Sequence, residues 1–191
     1  MSESEPPPKS TPAKNRRTAL AALTAGAVAV VTPLVAGIAA FLSPLFRRTK
    51  PPLVRVATLT QVPSDGVPRL FPIVTDQEDA WNRYPDRRVG AIYLLREPDE
   101  QKPLALAAKC PHAGCFIGYA PGDDRFLCPC HTSAFWLDGE RVSGDEEVSP
   151  RGMDPLEVEL REETIDGETI VEVWVKYQDF QTGHKERIPT A

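Results

Sequence analysis

Between residues 110 and 131 the chain gathers all four of its cysteines, Cys110, Cys115, Cys128 and Cys130, and two of its three histidines, His112 and His131. Two segments carry them, Cys110-Pro111-His112-Ala113-Gly114-Cys115 and Cys128-Pro129-Cys130-His131-Thr132-Ser133, with twelve residues between. Each segment offers a thiolate and an imidazole at ligand spacing, and one further cysteine. Soft sulfur and nitrogen donors of this kind hold zinc or iron. A zinc knuckle would use four of the groups and leave two cysteines without a role. A pair of structural disulfides would account for the cysteines and for neither histidine. His184, alone in a polar stretch, reads as a solvated surface residue, and Trp81, Trp136 and Trp174 read as packing residues.

The two segments resemble the boxes of the Rieske proteins of cytochrome bc-type complexes, which have the forms C-x-H-x-G-C and C-x-C-H-x-S. The resemblance is closest over residues 104–160. It implies a 2Fe-2S cluster with Cys110 and Cys128 on one iron and His112 and His131 on the other, and a disulfide from Cys115 to Cys130 tying the two loops. It also implies that the Ser133 hydroxyl donates to a bridging sulfide. Two imidazoles in place of two thiolates make such a cluster less negative, so taking up an electron costs less. Rieske potentials lie roughly between −150 and +300 mV, against about −400 mV for plant-type four-cysteine clusters. A ligand imidazole can also hold a proton on its other ring nitrogen, so His131 or His112 is expected to take a proton from quinol as the cluster takes the electron. In the family the second-box histidine usually has that role. The implied disulfide closes fifteen positions, about 3 kcal/mol in the chain-entropy model, and points to an oxidising compartment. Rieske domains of ring-hydroxylating oxygenases lack these two extra cysteines.

Three positions depart from the family pattern. Phe135 stands where high-potential members carry a tyrosine whose hydroxyl bonds a ligand sulfur, so a lower potential, with menaquinol rather than ubiquinol as donor, is expected. The third, Gly-Pro-rich loop corresponds to Pro150-Arg151-Gly152-Met153-Asp154-Pro155, of which only Gly152 and Pro155 fit the usual form. Ala113 is smaller than the bulky residue often found at the docking tip.

By this resemblance the chain is expected to be the electron-transfer subunit of a quinol–cytochrome c reductase, a redox subunit not catalytic alone. Its expected partners are quinol, a cytochrome b, a c-type cytochrome and the membrane. The alternatives are the Rieske small subunit of an arsenite oxidase and a cluster-bearing assembly module without turnover. Residues 1–50 carry seven basic and two acidic side chains, so the rest of the chain, at net −5 overall, bears −10. An acidic head excludes nucleic acid, which needs a basic footprint, and tolerates a basic redox partner.

The elements that must position these groups are strands. Residues 53–57, 69–74, 89–95, 104–108, 156–160 and 169–177 are short runs rich in aliphatic, β-branched or aromatic residues between turn-prone clusters. The expected fold is all-β, a Rieske-type antiparallel β sandwich with a cluster-binding subdomain, with one weak helical candidate at 76–84. In front of it, residues 18–46 contain no charge, and about 20 apolar residues suffice to span a bilayer. The expected organisation is a cytoplasmic tail at 1–17, a single transmembrane helix at 18–46, a flexible tether at 47–55 and the iron–sulfur domain at 56–191, with loops at about 104–155. Arg16-Arg17 ahead of the apolar run reads as a twin-arginine signal for export of an already folded protein. Gly37-Ile38-Ala39 resembles a cleavage site, but an uncleaved anchor in a bacterial cytoplasmic membrane, with the head on the outer side, is the expectation.

Overall fold

Alternation of side chains writes most of the head. In β8 (Pro155–Ile165) Leu156 and Val158 point inward while Pro155, Glu157 and Glu159 face water, the two-residue period of a half-buried strand. The structure, a computed structural model, describes residues 15–46, 51–78, 82–144 and 148–190. It divides into two units, Met1–Thr49 and Lys50–Ala191.

Among its described residues the first unit contains one helix, α1 (Arg16–Phe46), of 31 residues. At 1.5 Å per residue it is about 46 Å long, more than the ~30 Å hydrocarbon core of a bilayer. It is long and apolar enough to cross a membrane. The hydroxyls of Thr18, Thr24 and Ser43 donate to carbonyls one turn back, at 2.7, 3.0 and 2.9 Å, which hides them from an apolar solvent. Arg16 and Arg17 form its first turn.

The second unit holds β1 (Leu53–Thr58), β2 (Arg69–Glu78), β3 (Arg83–Leu95), β4 (Leu104–Ala107), β5 (Gly118–Ala120), β6 (Arg125–Leu127), β7 (Ala134–Phe135), β8 and β9 (Glu168–Lys176). Six strands form an antiparallel sheet in the order β1-β9-β8-β4-β3-β2, and β5-β6-β7 form a small second sheet. The large sheet curls until its edge strands β1 and β2 approach each other.

Strands β3 and β4 are the wall between two cores. Ile92, Leu94 and Ala105 pack with Val54, Ile73, Val173 and Val175 inside the large sheet. Their neighbours Tyr93, Leu95 and Leu106 face the other way, against Phe126, Phe135 and Met153 of the small subdomain. Phe126 and Phe135 are fully buried, each stabilising by roughly 2 kcal/mol. Cys110 and Cys128 belong to this second core. The small sheet is thereby held on the wall, with its loops projecting from it.

Two expectations are corrected. The described parts of the helical candidate at 76–84 are strand: Gln77 pairs with Tyr84 and Glu78 with Arg83, while Asp76 accepts from the Arg83 guanidinium at 2.5 Å and the Asp86 N–H at 3.2 Å. Cross-strand pairing overrides a weak local preference, and Pro85 has no N–H for a helix. The expected tether runs three residues too far, because Leu53, Val54 and Arg55 already pair with Lys176, Val175 and Trp174. Residues 47–50, 79–81 and the tail 1–14, with Trp81 among them, lie outside the described residues.

Candidate metal centre

The two boxes fold into the same loop. In the first, the Cys110 N–H donates to the Cys115 carbonyl at 2.8 Å, above a bridge from Lys109 to Phe116. In the second, the Cys128 N–H donates to the Ser133 carbonyl at 2.8 Å, above the pair Leu127 and Ala134. Each box passes through the left-handed region at its fifth residue, Gly114 at φ 80° and Thr132 at φ 60°. Thr132 steadies that turn by donating its hydroxyl to the His131 carbonyl at 2.7 Å.

Cys115 and Cys130 are joined in a disulfide, their Cα atoms 6.6 Å apart. That leaves Cys110 and Cys128 as free thiols, both buried. The sulfurs of Cys115, Cys128 and Cys130 lie within 4.8 Å of one another, but two of the three are spent in the disulfide. The imidazoles of His112 and His131 stand edge to face, 4.8 Å between centroids at 80°. His112 is half-buried and His131 exposed. The structure therefore brings both free thiols and both imidazoles to one end of the small subdomain.

This donor set fits an iron–sulfur cluster. Among the described residues the Nδ1 of His112 and the Oγ of Ser133 are buried with no hydrogen-bond partner. Each such group costs about 1–3 kcal/mol unless something binds it, and a buried imidazole nitrogen without a partner is by its chemistry able to take a metal. Burial pushes the Cys110 thiol up to about 11, with Cys128 alongside adding to it, while the N–H groups of His112 and Ala113 pull the other way. A thiol in such a place becomes a thiolate when a cation holds it. Two backbone donors on its sulfur are the kind of contact that tunes a cluster.

Several residues that position the site escaped the sequence reading. The Tyr93 hydroxyl donates to the Ile117 carbonyl and accepts from the Tyr119 N–H, both at 3.1 Å, and its ring lies 4.7 Å from Phe126. It pins the small subdomain to the wall; its place in an apolar run was visible, its hydroxyl's task was not. In the third loop Arg151 and Asp154 form a buried two-pronged ion pair, both bonds 2.8 Å. Their spacing of three in a loop was the available signal. Gly152 of that loop lies against Gly139, whose oxygen would be 2.6 Å from an added Cβ, so only glycine fits. The His184 side chain is exposed, as expected, yet its carbonyl accepts from Arg151 at 2.5 Å. Trp136 is exposed beneath the Arg125 guanidinium, and Trp174 carries Arg161 on its face. Ala113 is exposed at the tip. Nearby, an apolar groove of about 780 Å³ runs past Leu70, Phe116, Leu127 and Pro129 to Cys128.

A family model for the Rieske [2Fe-2S] domain matches residues 64–161, just over half of the chain. The menaquinol:cytochrome c reductase iron-sulfur subunit of Bacillus subtilis is 27% identical over 125 residues, which cover 63% of this chain and 70% of that protein. The cytochrome b6-f complex iron-sulfur subunit of Parasynechococcus marenigrum is 33% identical over 95 residues, 49% of this chain and 48% of that one. The chain thus spans only about half the length of that second relative. The cyanobacterial plasma membrane Rieske protein of Synechocystis overlaps 62% of this chain and 97% of that one at 18% identity, with a TM-score of 0.37, a likeness too loose to add to the assignment. Because the matched stretch takes in both loops and the wall that carries them, the chain belongs to the Rieske [2Fe-2S] domain family, and its cofactor is a 2Fe-2S cluster.

Proposed function

We propose that the protein is the electron-carrying iron–sulfur subunit of a membrane-bound quinol–cytochrome c reductase, with Cys110 and Cys128 holding one iron and His112 and His131 the other. The observation that carries this reading is the contrast between the exposed His131 and the buried Cys110, Cys128 and His112 Nδ1. When bound, the cluster accepts one electron and passes it on.

The rest is done by the chain. His131, at the surface, accepts a hydrogen bond from a quinol hydroxyl on the ring nitrogen that iron does not take, and that nitrogen receives the proton. With Nδ1 of His112 turned inward, its Nε2 is left as a second proton site. The buried Ser133 hydroxyl supplies a donor that favours the reduced state, whereas Phe135, buried and without a hydroxyl, supplies none. That difference supports menaquinol as the donor, in keeping with the menaquinol:cytochrome c reductase to which the Bacillus subtilis relative belongs. The exposed Phe116 and Leu70 beside the second loop offer apolar surface to a cytochrome b subunit, and the acidic head suits a basic c-type cytochrome as acceptor. Helix α1 serves as the anchor at 18–46, with a cytoplasmic tail at 1–17 whose Arg16 and Arg17 direct export of the folded head, a short tether to β1, and the head outside the cytoplasm.

The test is an EPR-monitored redox and pH titration of the full chain in detergent, with haem and molybdopterin assayed in whatever co-purifies. A Rieske-type signal whose potential falls with pH, together with haem subunits, is the expected result. A colourless, iron-free, zinc-binding chain defeats the reading, and a molybdopterin partner replaces it with the arsenite oxidase subunit.

A further inference from the structure

Beyond β9 the chain does not trail away. Residues 178–190 close on themselves: the Gln181 N–H donates to the Ile188 carbonyl at 2.8 Å, the Thr190 N–H to the Asp179 carbonyl at 2.9 Å, and Phe180 bridges Pro189. The resulting strap reaches the first loop. The Gly183 N–H donates to the Pro111 carbonyl at 2.8 Å, one residue before His112, and the Asp179 carboxylate pairs with Lys109, one residue before Cys110, at 2.8 Å. A Cβ on Gly114 would lie 3.6 Å from the Thr182 methyl, so the strap also touches the loop's turn.

Arg151 ties the strap to the third loop, and Arg187 of the strap adds a pair with Asp154 at 3.4 Å. The Nε and one Nη of Arg151 grip Asp154 of the third loop. The same guanidinium donates to the His184 carbonyl at 2.5 Å and the Gln181 carbonyl at 3.1 Å. Both members of the ion pair are more than nine-tenths buried. A planar fork of five donors can serve a carboxylate and two carbonyls at once, which an ammonium cannot. Buried charge of this kind is costly and is retained where it fixes a geometry. Here it fixes one loop to a segment thirty positions further along the chain.

We propose that Arg151 is a positioning residue for electron transfer: it latches the strap over the first loop, so that the strap fixes Pro111 and His112 and keeps water from that side of the cluster. This rests on the reading of His112 as a ligand. The reduced cluster carries one more negative charge than the oxidised one, so water admitted to this side favours the reduced state and raises the potential.

Two variants test it in the full, cluster-loaded chain. Arg151→Lys keeps a cation beside Asp154 and loses the fork; a chain ended after Gln178 removes the strap and leaves the ion pair whole. The readouts are the EPR-monitored potential and deuterium exchange of residues 109–118 against residues 126–135. Both variants are expected to raise the potential and to speed exchange in 109–118 about tenfold, with 126–135 little changed. If Arg151→Lys does not fold, the shortened chain decides alone. An unshifted potential, or equal acceleration in both loops, overturns the latch. A wild-type chain without a Rieske-type signal instead overturns the ligand reading, and the inference with it.

Discussion

Gly114 and Thr132 occupy the same place, the fifth residue of two matching boxes, and both have positive φ, 80° and 60°. For glycine this conformation is free of steric cost. For a β-branched residue it is strained by about 1–2 kcal/mol, offset in part by the bond from its hydroxyl to the His131 carbonyl.

Thr132→Gly is therefore expected to stabilise the head by roughly 0.5–1 kcal/mol, and Gly114→Ala to destabilise it by about 1–2 kcal/mol. Denaturant melts of the two variants read this directly. A Thr132→Gly protein less stable than the parent would mean that the hydroxyl outweighs the strain.

The four proposed ligands and the disulfide separate by experiment. Alanine at Cys110, His112, Cys128 or His131 is expected to abolish the visible absorbance and the EPR signal and to drop iron content. Cys115→Ser with Cys130→Ser leaves the ligands in place and costs about 3 kcal/mol of stability by the loop-entropy estimate. Retention of an unaltered cluster after loss of either imidazole contradicts the assignment.

Potential is expected to follow hydroxyl count. Ser133→Ala removes a buried donor with no partner in the protein and should lower the midpoint potential, whereas Phe135→Tyr, at a fully buried site in β7, should raise it. Shifts of tens of millivolts are the scale on which hydrogen bonds to cluster sulfurs act. A Phe135→Tyr head with an unmoved potential would separate this residue from the cluster.

Alkali should weaken the head through its tyrosines. Burial raises the phenols of Tyr93 and Tyr177, and Asp179 adds to the rise at Tyr177. A phenol whose folded pKa is raised contributes stability that is whole below its unfolded value near 10 and is lost as pH climbs through the folded value. Thermal melts should be level from about pH 7 to 9 and fall above about 10, less steeply in Tyr177→Phe. At the other end, Asp76 is held below its ordinary value by Arg83 first and the Asp86 N–H second. Its contribution is present above about pH 4 and fades as pH falls, and exposure keeps it small.

Sequence by itself determined the class of fold and marked the candidate donors, because both are written locally. Cys110, His112, Cys128 and His131 lie at fixed short spacings, and runs such as 156–160 alternate visibly once a single face is buried. The apolar stretch behind α1 is equally local. Tertiary structure alone decided what joins distant segments. Strands β5, β6 and β7 have only two or three residues each, too few to show a period, and they exist because the wall formed by β3 and β4 offers a second apolar face. Residues 76–78 and 83–84 of the candidate helix became strand because their pairing partners supply more than local preference does. The Tyr93 pin spans 24 and 26 positions and the Arg151 latch 30 and 33. Contacts at that separation leave no imprint in neighbouring residues, since their energy depends on where folding brings the other end of the chain.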